Sequence, residues 1–145
     1  MIGLIQRVTQ GRVEIDTQTV AKIDYGIVAL VAVEADDNAK KGRRLLKRIL
    51  NYRIFADNAD KMNLSLLDIQ GGLILVPQFT LVADTTRGNR PSFGKNVSAS
   101  IGKSLFDQLT MDARNEYERV QHGVFGADMK VTLTNDGPVT FWLEV

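Results

Sequence analysis

Two alternating apolar runs near the end of the chain, separated by Asn135-Asp136-Gly137-Pro138, constrain the fold more than any other feature. Ala127, Met129, Val131 and Leu133 alternate with polar residues before the break, and Val139, Phe141, Leu143 and Val145 alternate after it. A period of two sends successive side chains to opposite faces, so each run reads as a half-buried strand. Asn, Asp and Gly tolerate positive φ, so the junction predicts a hairpin. Pro138 fixes its own φ, donates no hydrogen bond and makes Gly137-Pro138 one of the few peptide bonds able to be cis. Two roles fit this tip: a plain turn, or a rigid backbone element presenting its carbonyls to a ligand. Trp142 shares a face with Thr140 and Glu144, and an indole on such a face is expected to pack against another subunit.

The rest of the chain supplies more strands than helices. Ile2, Leu4 and Val8 fall on one face of a first strand, with Ile5 and Arg7 on the other. Thr17-Gln18 is a plausible turn into a second strand. Ile27–Val33 and Leu73–Val76 are continuous apolar runs, expected as strands buried on both faces. The latter ends in Pro77-Gln78-Phe79-Thr80, where proline cannot donate to a sheet ladder and so marks an edge or a strand end. Asp36-Asp37-Asn38 caps a helix over 39–51. Its inward stripe is Gly42, Leu46, Ile49 and Leu50, with Leu45 at the edge. Lys40, Lys41, Arg44, Lys47 and Arg48 face outward, where they suit solvent or an RNA backbone. Tyr52–Phe55 reads as a short strand, 56–62 as a polar loop, and Leu64, Leu66 and Leu67 as core. A second helix is expected over 98–120, with Ile101, Leu105, Leu109, Ala113 and Tyr117 inward and Gly123 as its terminator. Strands with two separated helices predict an α+β fold: one β-rich domain over 1–145, mostly antiparallel, with a barrel-like core.

Composition narrows the chemistry by exclusion. A net charge of +1 offers no global attraction to nucleic acid, so RNA contacts would come from local patches such as the arginines of 85–92. The absence of cysteine removes thiol chemistry and suits a reducing, cytoplasmic setting. The first residues run straight into a strand pattern without signal-peptide features, and the longest apolar run is too short to span a bilayer. One histidine, His122, beside the expected helix end, gives no Ser-His-Asp arrangement. Together with the missing cysteines, it makes zinc improbable, and no cofactor is expected. What remains is Gln78, Thr80 and backbone. Thr80 is a nucleophile only with a base beside it; otherwise it is a strand-end hydroxyl. Gln78 and backbone N–H groups could instead stabilise an oxyanion. So light an apparatus suits an activated ester rather than an amide or a phosphodiester.

Pro77-Gln78-Phe79-Thr80-Leu81-Val82-Ala83-Asp84 together with Asn135-Asp136-Gly137-Pro138-Val139-Thr140-Phe141-Trp142-Leu143 resembles the D-aminoacyl-tRNA deacylase family. So do Leu4-Ile5-Gln6-Arg7-Val8, Tyr52-Arg53-Ile54-Phe55, Lys61-Met62-Asn63-Leu64, Arg90-Pro91-Ser92-Phe93 and Phe125-Gly126-Ala127-Asp128-Met129. The resemblance spans nearly the whole chain, in order. It implies a homodimer with active sites at the subunit interface, acting on the 3′ end of aminoacyl-tRNA. The reaction it implies is hydrolysis of the ester of a D-amino acid, or of glycine mischarged on alanine tRNA. It makes Gly137-Pro138 a cis element that enters the partner's pocket, holds the substrate amino group with its carbonyls and leaves no room for an L side chain. It has Arg7 fix that geometry. Gln78 and Thr80 are the catalytic positions it implies, and Phe79, Phe125 and Met129 further substrate contacts. It also implies that the terminal 2′-OH of the tRNA takes part in catalysis. One position departs: Pro77 stands where most of the family has serine. A related animal deacylase carries proline there and also accepts L-alanine. Three functions therefore stay open: chirality-strict deacylase, relaxed deacylase acting also on L-alanyl-tRNA, and a tRNA-binding β module without catalysis.

Overall fold

A computed structural model describes residues 1–93 and 97–145. Its hub is β1 (Ile2–Ile15). Residues 11–15 of β1 pair antiparallel with β2 (Gln18–Ile23), across a turn in which Asp16 and Thr17 have positive φ. Residues 2–8 pair antiparallel with β3 (Gly26–Ala32), the first continuous apolar run.

Next comes α1 (Ala39–Asn51), with the bounds its periodicity predicts. Of the three residues expected to cap it, Asn38 does so, accepting from the amides of Lys40 (3.0 Å) and Lys41 (3.2 Å). Such a cap contributes about 1 kcal/mol. Asp37 instead accepts the Glu34 amide and the Met1 ammonium. Gly42, Leu45, Leu46, Ile49 and Leu50 are buried. The basic face is partly committed to the protein itself: Arg48 donates to the Glu144 carbonyl, and Lys41 pairs with Asp36 and Asp37.

A small antiparallel pair follows, β4 (Phe55–Ala56) with β5 (Met62–Leu64). The expected strand over 52–55 thus shrinks to its last residue, because Tyr52 ends α1 and donates to the Ile49 carbonyl. A four-residue helix, α2 (Leu66–Ile69), was not expected; Ser65 and Asp68 close a reciprocal capping box around it. Its turn leaves Leu67 38% exposed rather than in the core. β6 (Gly72–Pro77) is the second buried run and pairs parallel with β3. Residues Phe79–Val82 then form a 3₁₀ turn.

α3 (Ala99–Glu116) ends four residues earlier than expected, and its inward face is rotated. Gly102, Phe106, Leu109, Thr110 and Ala113 are buried, while Ile101 is 53% exposed. Residues Val120–His122, expected as the helix end, are instead β7, parallel to β6.

The largest correction concerns the closing stretch. It is not a hairpin but one strand, β8 (Lys130–Glu144), paired antiparallel with β1 along nearly its whole length. Gln6 lies opposite Thr140 and Val8 opposite Asn135. Residues 136–139 therefore bulge out against Arg7 alone. The second arm is strand as expected, but the first is strand only from Lys130, leaving Ala127 and Met129 before it and Val131 37% exposed. Both share β1 as partner instead of pairing with each other.

The main sheet runs β2-β1-β3-β6-β7. Gln121 of β7 brings it back to its start: the Lys22 amide donates to Gln121 Oε1 (2.7 Å), and Gln121 Nε2 donates to the Lys22 carbonyl (2.6 Å). A side-chain amide thus takes the place of a last ladder pair and nearly closes a barrel. Alternation divides the core between its two surfaces. Val8, Val13, Ala21, Ile23, Val28, Ile74 and Val76 cluster on one. Ile5, Ile27, Ala29, Val31, Leu73 and Leu75 pack on the other against Leu45, Leu46, Ile49, Phe106 and Leu109 of α1 and α3. The fold is α+β, β-rich and mostly antiparallel, with three helices instead of two.

Candidate active site

Where β6 stops, the chain builds a rim. The Gln78 amide still donates to the Val31 carbonyl (2.7 Å), the last bond of that ladder, and the backbone then leaves strand geometry at φ −141°, ψ 75°. The 3₁₀ turn that follows places Thr80 so that its Oγ1 accepts a short hydrogen bond from Gln78 Nε2. That bond uses one of the two N–H groups of the Gln78 amide.

Gln78 and Phe79 stand at the edge of a cavity of about 460 Å³. Val31 and Val76 of the sheet wall it with Val33 just past β3, as do Gly102 and Phe106 of α3, Phe125 and Met129 of the segment leading into β8, and Val131 of β8 itself. Gln78 carries the only polar side chain among the described lining residues. The structure thus brings together Gln78, Phe79, Phe125 and Met129, with Thr80 bonded to Gln78. Sequence reasoning missed Gly102 and Phe106, which lie outside the stripe that α3 was expected to turn inward. Gly102 has a steric reason to lack a side chain: a Cβ there would lie 3.1 Å from the Phe125 ring.

The second group of expected residues lies elsewhere in the chain. Neither Arg7, Gly137 nor Pro138 lines the cavity. The Gly137–Pro138 peptide is cis, Gly137 has φ +137°, and both residues are exposed. Arg7 holds the bulge from across the sheet. Its Nε donates to the Asp136 carbonyl (3.0 Å) and lies 3.1 Å from Asp136 Oδ2, while Nη1 donates to the Ile54 carbonyl (2.7 Å). Asn135 closes the base of the bulge: its Oδ1 accepts the Val139 amide (2.6 Å), and its Nδ2 donates to Val139 O and Thr140 Oγ1. Asn135 reads in sequence only as a turn former, and the same backbone-mimicking amide explains both roles. Tyr25 sits beside this cluster. Partial burial pushes its phenol above the ordinary range, with Arg7 opposing and Asp136 reinforcing that shift.

His122 has no place in either group; its Nδ1 lies 2.8 Å from the Gly123 carbonyl and its ring meets Phe106 edge-on. No cluster of three or more potential metal ligands occurs among the described residues. No helix among them is long and apolar enough to cross a membrane. The chemistry available at the rim is hydrogen-bond donation from a neutral amide beside an apolar-walled space.

The profile of the D-Tyr-tRNA(Tyr) deacylase family matches residues 4–144. A D-aminoacyl-tRNA deacylase of Methylacidiphilum infernorum (isolate V4) is 52% identical over 144 residues, 99% of each chain. One from Pseudomonas putida is 52% identical over the full length of both chains. Among solved structures, a c-Myc DNA unwinding element binding protein superposes with a TM-score of 0.94 at 32% identity, covering 100% of this chain and 99% of its own. A probable eukaryotic D-amino acid tRNA deacylase does so with a TM-score of 0.88 at 17% identity, covering 99% and 98%, which speaks to fold alone. A profile match over almost every residue, joined to full-length identity of about one half, places this chain in the D-Tyr-tRNA(Tyr) deacylase family, as an enzyme of the hydrolase class.

Proposed function

We propose that this chain hydrolyses the ester joining a D-amino acid to the 3′-terminal ribose of tRNA, and likewise glycyl-tRNA formed on alanine tRNA. The carrying observation is the Gln78–Thr80 end of the cavity, where a neutral amide stands alone among apolar walls. Thr80 accepts one N–H of Gln78 and so orients the other. That second N–H is suited to donate to the ester oxygen that gains negative charge as water adds to the carbonyl carbon. One preorganised donor of this kind contributes roughly 100- to 1,000-fold in rate. The carbon–oxygen bond to the ribose then breaks, the amino acid leaves as its carboxylate, and the ribose oxygen takes up a proton. No described residue bonded to Thr80 can act as its base. The 2′-OH beside the ester supplies a proton relay instead, and the protein positions the two.

Chirality is read by backbone. Gly137 and Pro138 are exposed and outside the cavity of their own protomer, which suits insertion into the cavity of a second copy. There the carbonyls take the substrate ammonium, and the remaining space admits a hydrogen but not an L side chain. Trp142, 49% exposed on β8, belongs to the face that this homodimer covers. Pro77 in place of a serine removes a hydroxyl from the rim, which favours a test of L-alanyl esters as well.

Separate incubation with D-tyrosyl-tRNA and L-tyrosyl-tRNA decides the matter. Rapid loss of the D-ester alone is expected; equal rates, or none, defeat the proposal. D-alanyl-tRNA against L-alanyl-tRNA separates a strict from a relaxed enzyme. Binding of uncharged tRNA without turnover of any ester would leave a nucleic-acid-binding module, a role that the solved relative named for a DNA element favours.

A further inference from the structure

We propose that Phe79 and Phe93, with Arg87 and Arg90 on the loop between them, form a stacking platform for the unpaired nucleotides that precede the terminal nucleotide of the tRNA. The inference rests on the function proposed above. Phe79 is 56% and Phe93 40% exposed, yet their rings pair with centroids 5.3 Å apart and planes tilted by 54°. Two large aromatic side chains left open together at the edge of a cavity form an apolar surface suited to an occupant. Phe79 itself lines the cavity, so the pair stands at its mouth. A strand whose terminal ester reaches Gln78 has its preceding nucleotides next to these rings.

The loop carrying the pair is held in shape. Asp84 and Ser92 exchange backbone hydrogen bonds of 2.8 and 3.0 Å, and Asp84 Oδ1 accepts both the amide and the hydroxyl of Thr86. Arg87 and Arg90 project from it, exposed and without an ion pair among the described residues. Gly88 between them adopts φ +63°, with nothing within 4 Å of the place a Cβ would occupy. Aromatic faces that accept any base, flanked by guanidinium groups that neutralise phosphate, are how proteins hold single strands without reading sequence. The two arginines are what favour a polyanion over an apolar peptide as the occupant.

The test is equilibrium binding of uncharged tRNA, intact or trimmed of its unpaired 3′ nucleotides. Phe93→Ala should weaken binding of intact tRNA about tenfold, the scale of removing one base from an aromatic face. It should leave the trimmed RNA unaffected, and Phe93→Tyr should retain affinity. Replacing both Arg87 and Arg90 by alanine should flatten the salt dependence by roughly 0.7 for each phosphate no longer neutralised. Unchanged affinity of Phe93→Ala for intact tRNA overturns the proposal. So does equal weakening on both RNAs, the sign of a folding defect or of a different occupant. Failure of the deacylase reading shows separately, as absent ester turnover by the wild-type protein, and leaves this binding measurement interpretable.

Discussion

Removing the Arg7 side chain should loosen the bulge of β8 and lower global stability by an amount the geometry allows to be estimated. The guanidinium spans three acceptors, one in the connection before β4 and two in the β8 bulge: Ile54 O at 2.7 Å, Asp136 O at 3.0 Å and Asp136 Oδ2 at 3.1 Å. The Arg7 side chain is 13% exposed and that of Asp136 37%, so solvent screens the ion pair, which contributes below about 1 kcal/mol. The carbonyl bonds matter more, since a hydrogen bond from a charged donor contributes about 1.5–3 kcal/mol. Ile54 is fully buried, which leaves its carbonyl poorly placed to exchange Arg7 for water. Allowing for non-additivity of two bonds from one group, Arg7→Ala should cost about 3 kcal/mol. For a chain of this size that corresponds to roughly 6–12 °C in melting temperature. Arg7→Lys should recover about half, because one ammonium cannot bridge acceptors that a planar fork can. Thermal and guanidinium unfolding followed by circular dichroism measure both variants, with hydrogen exchange at the Val139 amide reporting the bulge. A melting temperature within about 1 °C of wild type for Arg7→Ala, or full recovery in Arg7→Lys, would refute the reasoning.

Gln78→Ala should lower D-tyrosyl-tRNA turnover by about 100- to 1,000-fold, whereas Thr80→Ala should keep measurable turnover; complete loss in a folded Thr80→Ala protein would make Thr80 a nucleophile. Gln121→Ala should open the seam between β2 and β7, costing about 1–2 kcal/mol in denaturant titration and speeding exchange of the Lys22 amide. The Tyr117 phenol, which donates to the Gly71 carbonyl, is held above its ordinary range mainly by burial. A pKa raised in the folded state contributes stability below about pH 10 that is lost as pH rises through the raised value. Tyr117→Phe should therefore flatten the alkaline fall in stability while costing about 1 kcal/mol at neutral pH; an unchanged alkaline slope would contradict the assignment.

How far the sequence carried the fold depended on whether local pattern or a distant partner decided each element. α1 was legible to the residue because Asn38 and the 3.6-residue period are local. The buried runs in β3 and β6 were legible because no other element explains seven or four consecutive apolar residues so simply. The α3 stripe was misplaced because 101, 105 and 109 satisfy helical spacing as well as 102, 106 and 109 do; packing chose the set containing Gly102 and Thr110, residue types that hydrophobicity discounts. β8 was misread for a deeper reason. Asn-Asp-Gly-Pro between alternating arms is locally the pattern of a hairpin, and only β1, far away in sequence, turns it into a bulge. At the rim, Gln78 and Thr80 stood out by elimination, while Arg7 gained its role through Ile54 and Asp136, whose proximity no short-range pattern encodes.

The pairing of β1 with β8 also sets the order in which the molecule can be completed. Ile2 meets Glu144 and Glu14 meets Lys130, so these contacts close loops that span most of the chain. Such long-range closures slow folding. During synthesis from the amino terminus, β1 can gain β2 and β3 early, but its opposite edge waits for the last strand to emerge. In that interval a fourteen-residue strand rich in valine and isoleucine is an open template for other chains. The strand bearing the Gly137–Pro138 bulge is thus also the molecule's final protection against misassembly, and truncations that remove β8 should yield aggregates rather than weak enzymes.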